Sequence, residues 1–169
     1  MIKTHIMSKP IQPILDACCG GKSFWYDKDS PLVLFQDIRR EEHTLCDGRQ
    51  FKIDPSVCGD VTDMGYKDES FSMVVFDPPH LLYAGNNSWL KKKYGVLPKN
   101  WKEFIKKGFE ECFRVLCTGG GLIFKWNSEQ IPFSDVVCMS PYKPLFGDRR
   151  SKTRWTVFMK DKRMWRQEP

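Results

Sequence analysis

Four short apolar runs in this chain end in, or just before, an aspartate: "ILD" at Asp16, "LVLFQD" at Asp37, "SVCGD" at Asp60 and "SMVVFD" at Asp77. Apolar runs without polar alternation are the pattern of strands covered on both faces, and such strands belong to mostly parallel sheets in α/β domains. Ligands of open sheets of this kind sit outside the carboxyl ends of the strands. One acid at a strand end is ordinarily a cap or a turn residue. Four of them on one sheet edge describe a polar pocket with several hydrogen-bond acceptors.

The remaining segments fit the same frame. "NWKEFIKKGFEECFRVLC" sets Trp101, Phe104, Ile105, Gly108, Phe109, Cys112, Phe113 and Leu116 at helical spacing, and "TGGG" after it is a stop signal. "LIFKW", "DVVCMS" and "TRWTVFMK" follow as further apolar runs, read with the strands. A corner at Cys46 to Gly48, between "HTL" and "RQFKI", reads as a small hairpin. No repeat or linker interrupts the 169 residues, so one domain over 1–169 is expected.

Composition narrows the class. No apolar run approaches a membrane span, and "MIKTHIMSKPIQP" lacks the apolar core of a signal peptide, so a cytoplasmic protein without membrane contact is expected. The seven cysteines are odd in number and match no zinc spacing, so they read as reduced, small hydrophobes, with no metal site. The net charge of +6 is concentrated. Trp89 to Lys107 holds seven lysines and one acid; Lys143 to Arg166 holds nine Lys or Arg and two acids. Both stretches interleave aromatics with cations, which suits a phosphate backbone and stacked bases; the plainer reading is a solvated basic surface.

"LDACCGGKS" joins a strand, an acid and a glycine pair, which lets backbone approach a ligand closely. It lacks the spacing of a P-loop. With Asp37 ending the next strand, the pattern suits a ribose-binding site. Here the sequence resembles the class I S-adenosylmethionine-dependent methyltransferases, from about Ile14 to Lys160. "ILDACCGG" resembles their first motif, "GDVTDMGYKDESFSMVVFDPP" the stretch that meets the adenine, and "FEECFRVLCTGGGLIF" the helix, turn and strand that follow the catalytic loop. The resemblance implies a Rossmann-like fold: a mostly parallel central sheet with an antiparallel C-terminal strand and helices on both faces. It implies S-adenosyl-L-methionine as cofactor. Asp16, Cys18, Gly20, Gly21 and Lys22 would lie at its methionine end, Asp37 at the ribose, and Asp60 and Val61 at the adenine, with Asp77 beside them. The adjacent glycines depart from the usual spacing of the first motif, and Lys22 follows them.

"DPPH" resembles the catalytic tetrad of amino-group methyltransferases, Asp/Asn/Ser-Pro-Pro-aromatic. A conjugated amine is a poor nucleophile because its lone pair is delocalised. Acceptors at Asp77 and the carbonyl of Pro78 would draw it towards tetrahedral geometry, and Pro78 and Pro79 would hold those acceptors still. His80 stands where an aromatic usually stacks on the substrate; imidazole also titrates near neutrality and so could take a proton. The plainer reading is a rigid corner with His80 as a turn residue. The long basic loop that follows offers Asn86, Asn87, Ser88 and Trp89 as substrate contacts, and Asn127 lies on the same sheet edge.

The sequence thus points to methyl transfer onto an amino group, with nucleic acid, DNA or RNA, as the leading acceptor. A small-molecule or protein acceptor is the alternative. A non-catalytic binding module is the third reading, favoured by the glycine spacing and His80 and opposed by the intact row of acids.

Overall fold

The computed structural model describes residues 12–44, 47–85 and 88–166. Seven strands form one sheet in the order β5-β2-β1-β6-β7-β9-β8. They are β1 (Ile14–Asp16), β2 (Val33–Asp37), β5 (Val57–Cys58), β6 (Phe71–Phe76), β7 (Leu116–Asn127), β8 (Pro144–Arg150) and β9 (Thr153–Met159). β1, β2, β5, β6 and β7 are parallel, and β9 pairs antiparallel with both β7 and β8. The chain leaves β1 towards β2 on one side and returns to β6 on the other. This reversal opens a crevice above the carboxyl ends of β1 and β6.

The expected α/β class and the antiparallel C-terminal strand are both present. The helices are α1 (Trp89–Tyr94), α2 (Trp101–Val115) and α3 (Phe133–Val137), of which α2 and α3 pack on the sheet. α2 buries Ile105, Gly108, Phe109, Cys112 and Phe113 of the stripe its periodicity predicted, with Val115 besides, while Trp101 and Phe104 are partly buried against the same core. Gly108 is where it lies closest to the sheet: a Cβ there would stand 2.6 Å from Cζ of Phe76. Phe133 and Val136 of α3 join the same core cluster as α2.

The opposite face departs from the expectation of helices on both sides. Residues 17–32, which cross from β1 to β2, run in turns, and their Trp25 packs edge-on against Phe35 of β2 at 5.4 Å. The crossover from β2 to β5 is a separate antiparallel hairpin, β3 (Glu41–Thr44) with β4 (Gln50–Ile53). The hairpin matches the sequence expectation; Leu45 and Cys46 of its corner lie outside the described residues.

Three local readings are corrected. "DVVCMS" is no strand: Phe133 and Val136 reach the core at helical spacing, and this packing outweighs the β-branched valines. β8 is an addition to the expected strands, because an edge strand with every residue exposed needs no apolar run. "TGGG" does not separate helix from strand, since β7 begins at Leu116 and the glycines form an irregularity inside it. Gly119 takes φ +80°, and a Cβ on Gly120 would stand 2.8 Å from the Ser72 carbonyl.

Candidate active site

The four acids meet at the carboxyl edge of the sheet as their strand-end positions predicted. Asp16 and Asp37 end β1 and β2; Asp60 and Asp77 follow β5 and β6. A cleft opens at this edge, over Asp37, Asp60 and Asp77. Cys18, Gly20, Gly21, Asp37, Asp60, Val61 and the corner Asp77-Pro78-Pro79-His80 all line it.

The glycine turn forms one wall. Gly20 adopts φ +49°, and its amide donates to Oδ2 of Asp37 at 2.8 Å. This bond ties the turn to the end of β2. Gly21 is required by a close approach: a Cβ would stand 2.6 Å from Cε2 of Phe51 on the hairpin. Phe51 in turn meets Trp89 of α1 edge-on at 5.1 Å. Hairpin and α1 thus roof the turn together. Arg39 fastens the roof, donating from Nη1 to the Lys92 carbonyl at 3.0 Å while its Nε lies 3.6 Å from Asp37.

Asp60 holds its own turn: the amide and hydroxyl of Thr62 both donate to its Oδ1 at 2.8 Å. Its Oδ2 has no protein partner among the described residues. The segment after it is latched to α2 by Glu111, which accepts from the Met64 amide, and by Arg114, which donates to the carbonyls of Met64 and Tyr66.

Asp16 and Lys22 stand apart from the cleft. Asp16 is fully buried beneath the turn, accepting from the Trp25 indole at 2.7 Å and the Cys18 amide at 3.4 Å. Burial pushes its carboxyl up to about 7, against the pull of the indole. Lys22 turns back, its ammonium over the Phe35 ring and donating to the Lys28 carbonyl at 3.0 Å. It therefore does not line the cleft, contrary to its expected place at the methionine end of a cofactor.

Asp77 and His80 are shared with a second cleft, which is also lined by Leu90, Tyr94, Lys125 and Asn127. Burial pushes the Asp77 carboxyl up, and Lys125, donating to its Oδ2 at 2.6 Å, pulls it back down. His80 is 8% exposed, and burial, with Lys125 adding, pushes its imidazole down to about 4. It is neutral at physiological pH, which corrects the expectation that it titrates near neutrality. Its ring lies against Tyr94, centroids 5.0 Å apart.

The loop residues take structural places. Ser88 caps α1, accepting from the Leu90 amide at 3.2 Å, and Trp89 belongs to the roof. Asn127 lines the second cleft; its Nδ2 donates to the Thr153 hydroxyl at 3.2 Å. Asn86 and Asn87 lie outside the described residues. Four further residues belong to the site without having stood out in the sequence: Arg39, Phe51, Tyr94 and Lys125. Lys125 left a signal, a lone cation inside the apolar "LIFKW".

Fold and strand order define an α/β domain built on a mostly parallel sheet, with its clefts at the carboxyl edge. No protein-family model and no curated protein sequence matches the chain. Among solved structures it is similar to the PH0226 protein of Pyrococcus horikoshii OT3, at 14% identity and TM-score 0.57, covering 86% of this chain and 80% of that one. That likeness concerns the fold alone. A looser likeness, TM-score 0.47 at 11% identity over 90% of both chains, is to HI0767 of Haemophilus influenzae, a candidate methylase. Another, TM-score 0.43 at 14% identity, is to TTHA0409 of Thermus thermophilus, a candidate DNA modification methylase; it covers 66% of this chain and 54% of that one.

Proposed function

We propose that the protein is an S-adenosylmethionine-dependent methyltransferase acting on an amino group, with nucleic acid as the leading acceptor class. The observation that carries this reading is the convergence of the glycine turn, Asp37, Asp60 and the Asp77-Pro78 corner on one cleft. The residues suit the cofactor: a turn without Cβ atoms in the wall, a carboxylate at the end of β2, and the open Oδ2 of Asp60. Bound there, the cofactor supplies an electrophilic methyl group on a sulfonium. Asp37 would accept from ribose hydroxyls, Asp60 from the adenine amine, and Val61 would lie along the ring. Cys18, Gly20 and Gly21 would border the methionine end.

The acceptor amine would enter by the second cleft and donate to Asp77 and the Pro78 carbonyl. Two fixed acceptors orient its lone pair, and the proline pair keeps them in place, so the corner contributes by positioning. Neutral His80 would border the amine without taking its proton. Both basic segments flank this entrance, which supports a polyanionic acceptor. Leu90 and Tyr94 belong to α1 with Lys91, Lys92 and Lys93; Thr153 stands between Lys152 and Arg154.

One observation favours a small-molecule or protein amine instead. Tyr94 already covers His80, so less flat surface is left for a base to stack on. Calorimetry with S-adenosylmethionine and S-adenosylhomocysteine, with NAD and ATP as controls, tests the cofactor. Saturable binding of the first two alone supports the reading; no binding sinks it and brings the binding-module reading forward. Salt-sensitive retention on DNA or RNA separates the acceptor classes.

A further inference from the structure

We propose that Lys125 is a positioning residue for Asp77, fixing one carboxylate oxygen and holding the group ionised so that the other oxygen accepts from the acceptor amine. The proposal rests on the reading of Asp77 as the amine-holding acid.

Lys125 lies on β7, two residues before its end, and reaches across to the corner that follows the neighbouring β6. Its ammonium donates to Oδ2 of Asp77 at 2.6 Å, while Oδ1 has no protein partner among the described residues. The lysine is held from its other side as well. Its Nζ lies 5.3 Å from the Phe24 ring centroid and 5.6 Å from that of Trp155, and the two rings meet edge-on at 5.1 Å. Ring faces attract an ammonium and restrict a long, flexible side chain. The two ionic partners are only 19% and 16% exposed, so little water screens the pair.

The surrounding charges make this contact decisive. Asp16 and Cys18 stand at the end of β1, and Asp16 is raised in part by Asp77 itself. At the end of β2, Asp37 is paired with Arg39, and Lys93 of α1 is among the residues lining the cleft. Lys125 is the cation that contacts Asp77. Without it, burial beside other acids favours the carboxylic acid, which donates a proton where the amine needs an acceptor. The same ammonium also helps keep His80 neutral. One side chain therefore bears on the charge at both ends of the tetrad.

The test is ¹³C and ¹H NMR titration of the Asp77 carboxyl and the His80 imidazole in wild type, Lys125→Met and Lys125→Arg, with melting curves as a check on folding. In Lys125→Met both groups should titrate about one pH unit or more higher, a tenfold change in proton affinity, and Lys125→Arg should restore the wild-type values. If Lys125→Met does not fold, Lys125→Gln is read the same way. Unchanged titration of Asp77 in the neutral variant overturns the proposal. With an acceptor in hand, the acid limb of kcat should move with the Asp77 titration while cofactor affinity stays fixed. A shifted titration in a protein that transfers no methyl group to any acceptor would instead defeat the methyltransferase reading and leave the Lys125–Asp77 device standing.

Discussion

Asp16→Asn should make the protein less sensitive to rising pH, and its size follows from where Asp16 sits. The folded carboxyl is pushed up to about 7 by burial, with Asp77 and Asp37 adding. In the unfolded chain it returns to the ordinary range near 4. Between those values the folded state carries a proton that the unfolded state has lost, so stability falls as pH rises through the window. Above about 7 both states are ionised and the loss is complete. A span of about three pH units, at about 1.4 kcal/mol each, amounts to about 4 kcal/mol. Asparagine cannot titrate, yet its carbonyl can still accept from the Trp25 indole, so the variant keeps the stronger of the two bonds. Urea unfolding at intervals from pH 4 to 8, followed by tryptophan fluorescence, gives both stability curves. The difference between them should grow in the variant's favour by about 4 kcal/mol from pH 4 to 7.5. A constant difference, or one that grows the other way, refutes the account of Asp16 as a proton held by burial.

Gly108→Ala should cost about 1–3 kcal/mol in overpacking against Phe76, partly offset by about 1 kcal/mol of helix propensity, and thermal melts read the net loss. Arg114→Ala removes donors from Glu111, Asp68 and two carbonyls; a loss of about 2 kcal/mol and faster amide exchange over residues 62–68 are expected. Unchanged exchange there would mean that the latch does not hold the segment after Asp60. Asp37→Ala should weaken S-adenosylmethionine binding in calorimetry, while Asp77→Ala should abolish transfer and spare that affinity. Equal loss of cofactor affinity in both variants defeats this division of labour.

Much of the site was legible because its signals are local. Each acid ends an apolar run, so the strand pattern alone puts Asp37, Asp60 and Asp77 on one edge. The α2 stripe was equally plain, since aromatics three and four residues apart fall on one helical face. What escaped depends on partners far apart in sequence. Lys125 acquires its meaning only when β7 pairs with β6, and Phe51 only when the hairpin folds onto Gly21. His80 reads as a titrating group until Tyr94 and the core bury it. Lys22 reads as a ligand until its turn points it at Phe35. β8 left little trace because it buries none of its residues, Leu145 and Phe146 included, so only a short apolar run precedes its charges.

The turns that take the place of a helix between β1 and β2 leave this face without a passive scaffold. A helix there would be a strut whose packing could drift while the site stayed fixed. In this chain one continuous run does both jobs. Gly20 and Gly21 are cleft wall, Phe24 closes on Lys125, and Trp25 both packs on Phe35 and bonds Asp16. Sequence change in that stretch is therefore constrained twice over, since any substitution that loosens the core also displaces the wall of the site.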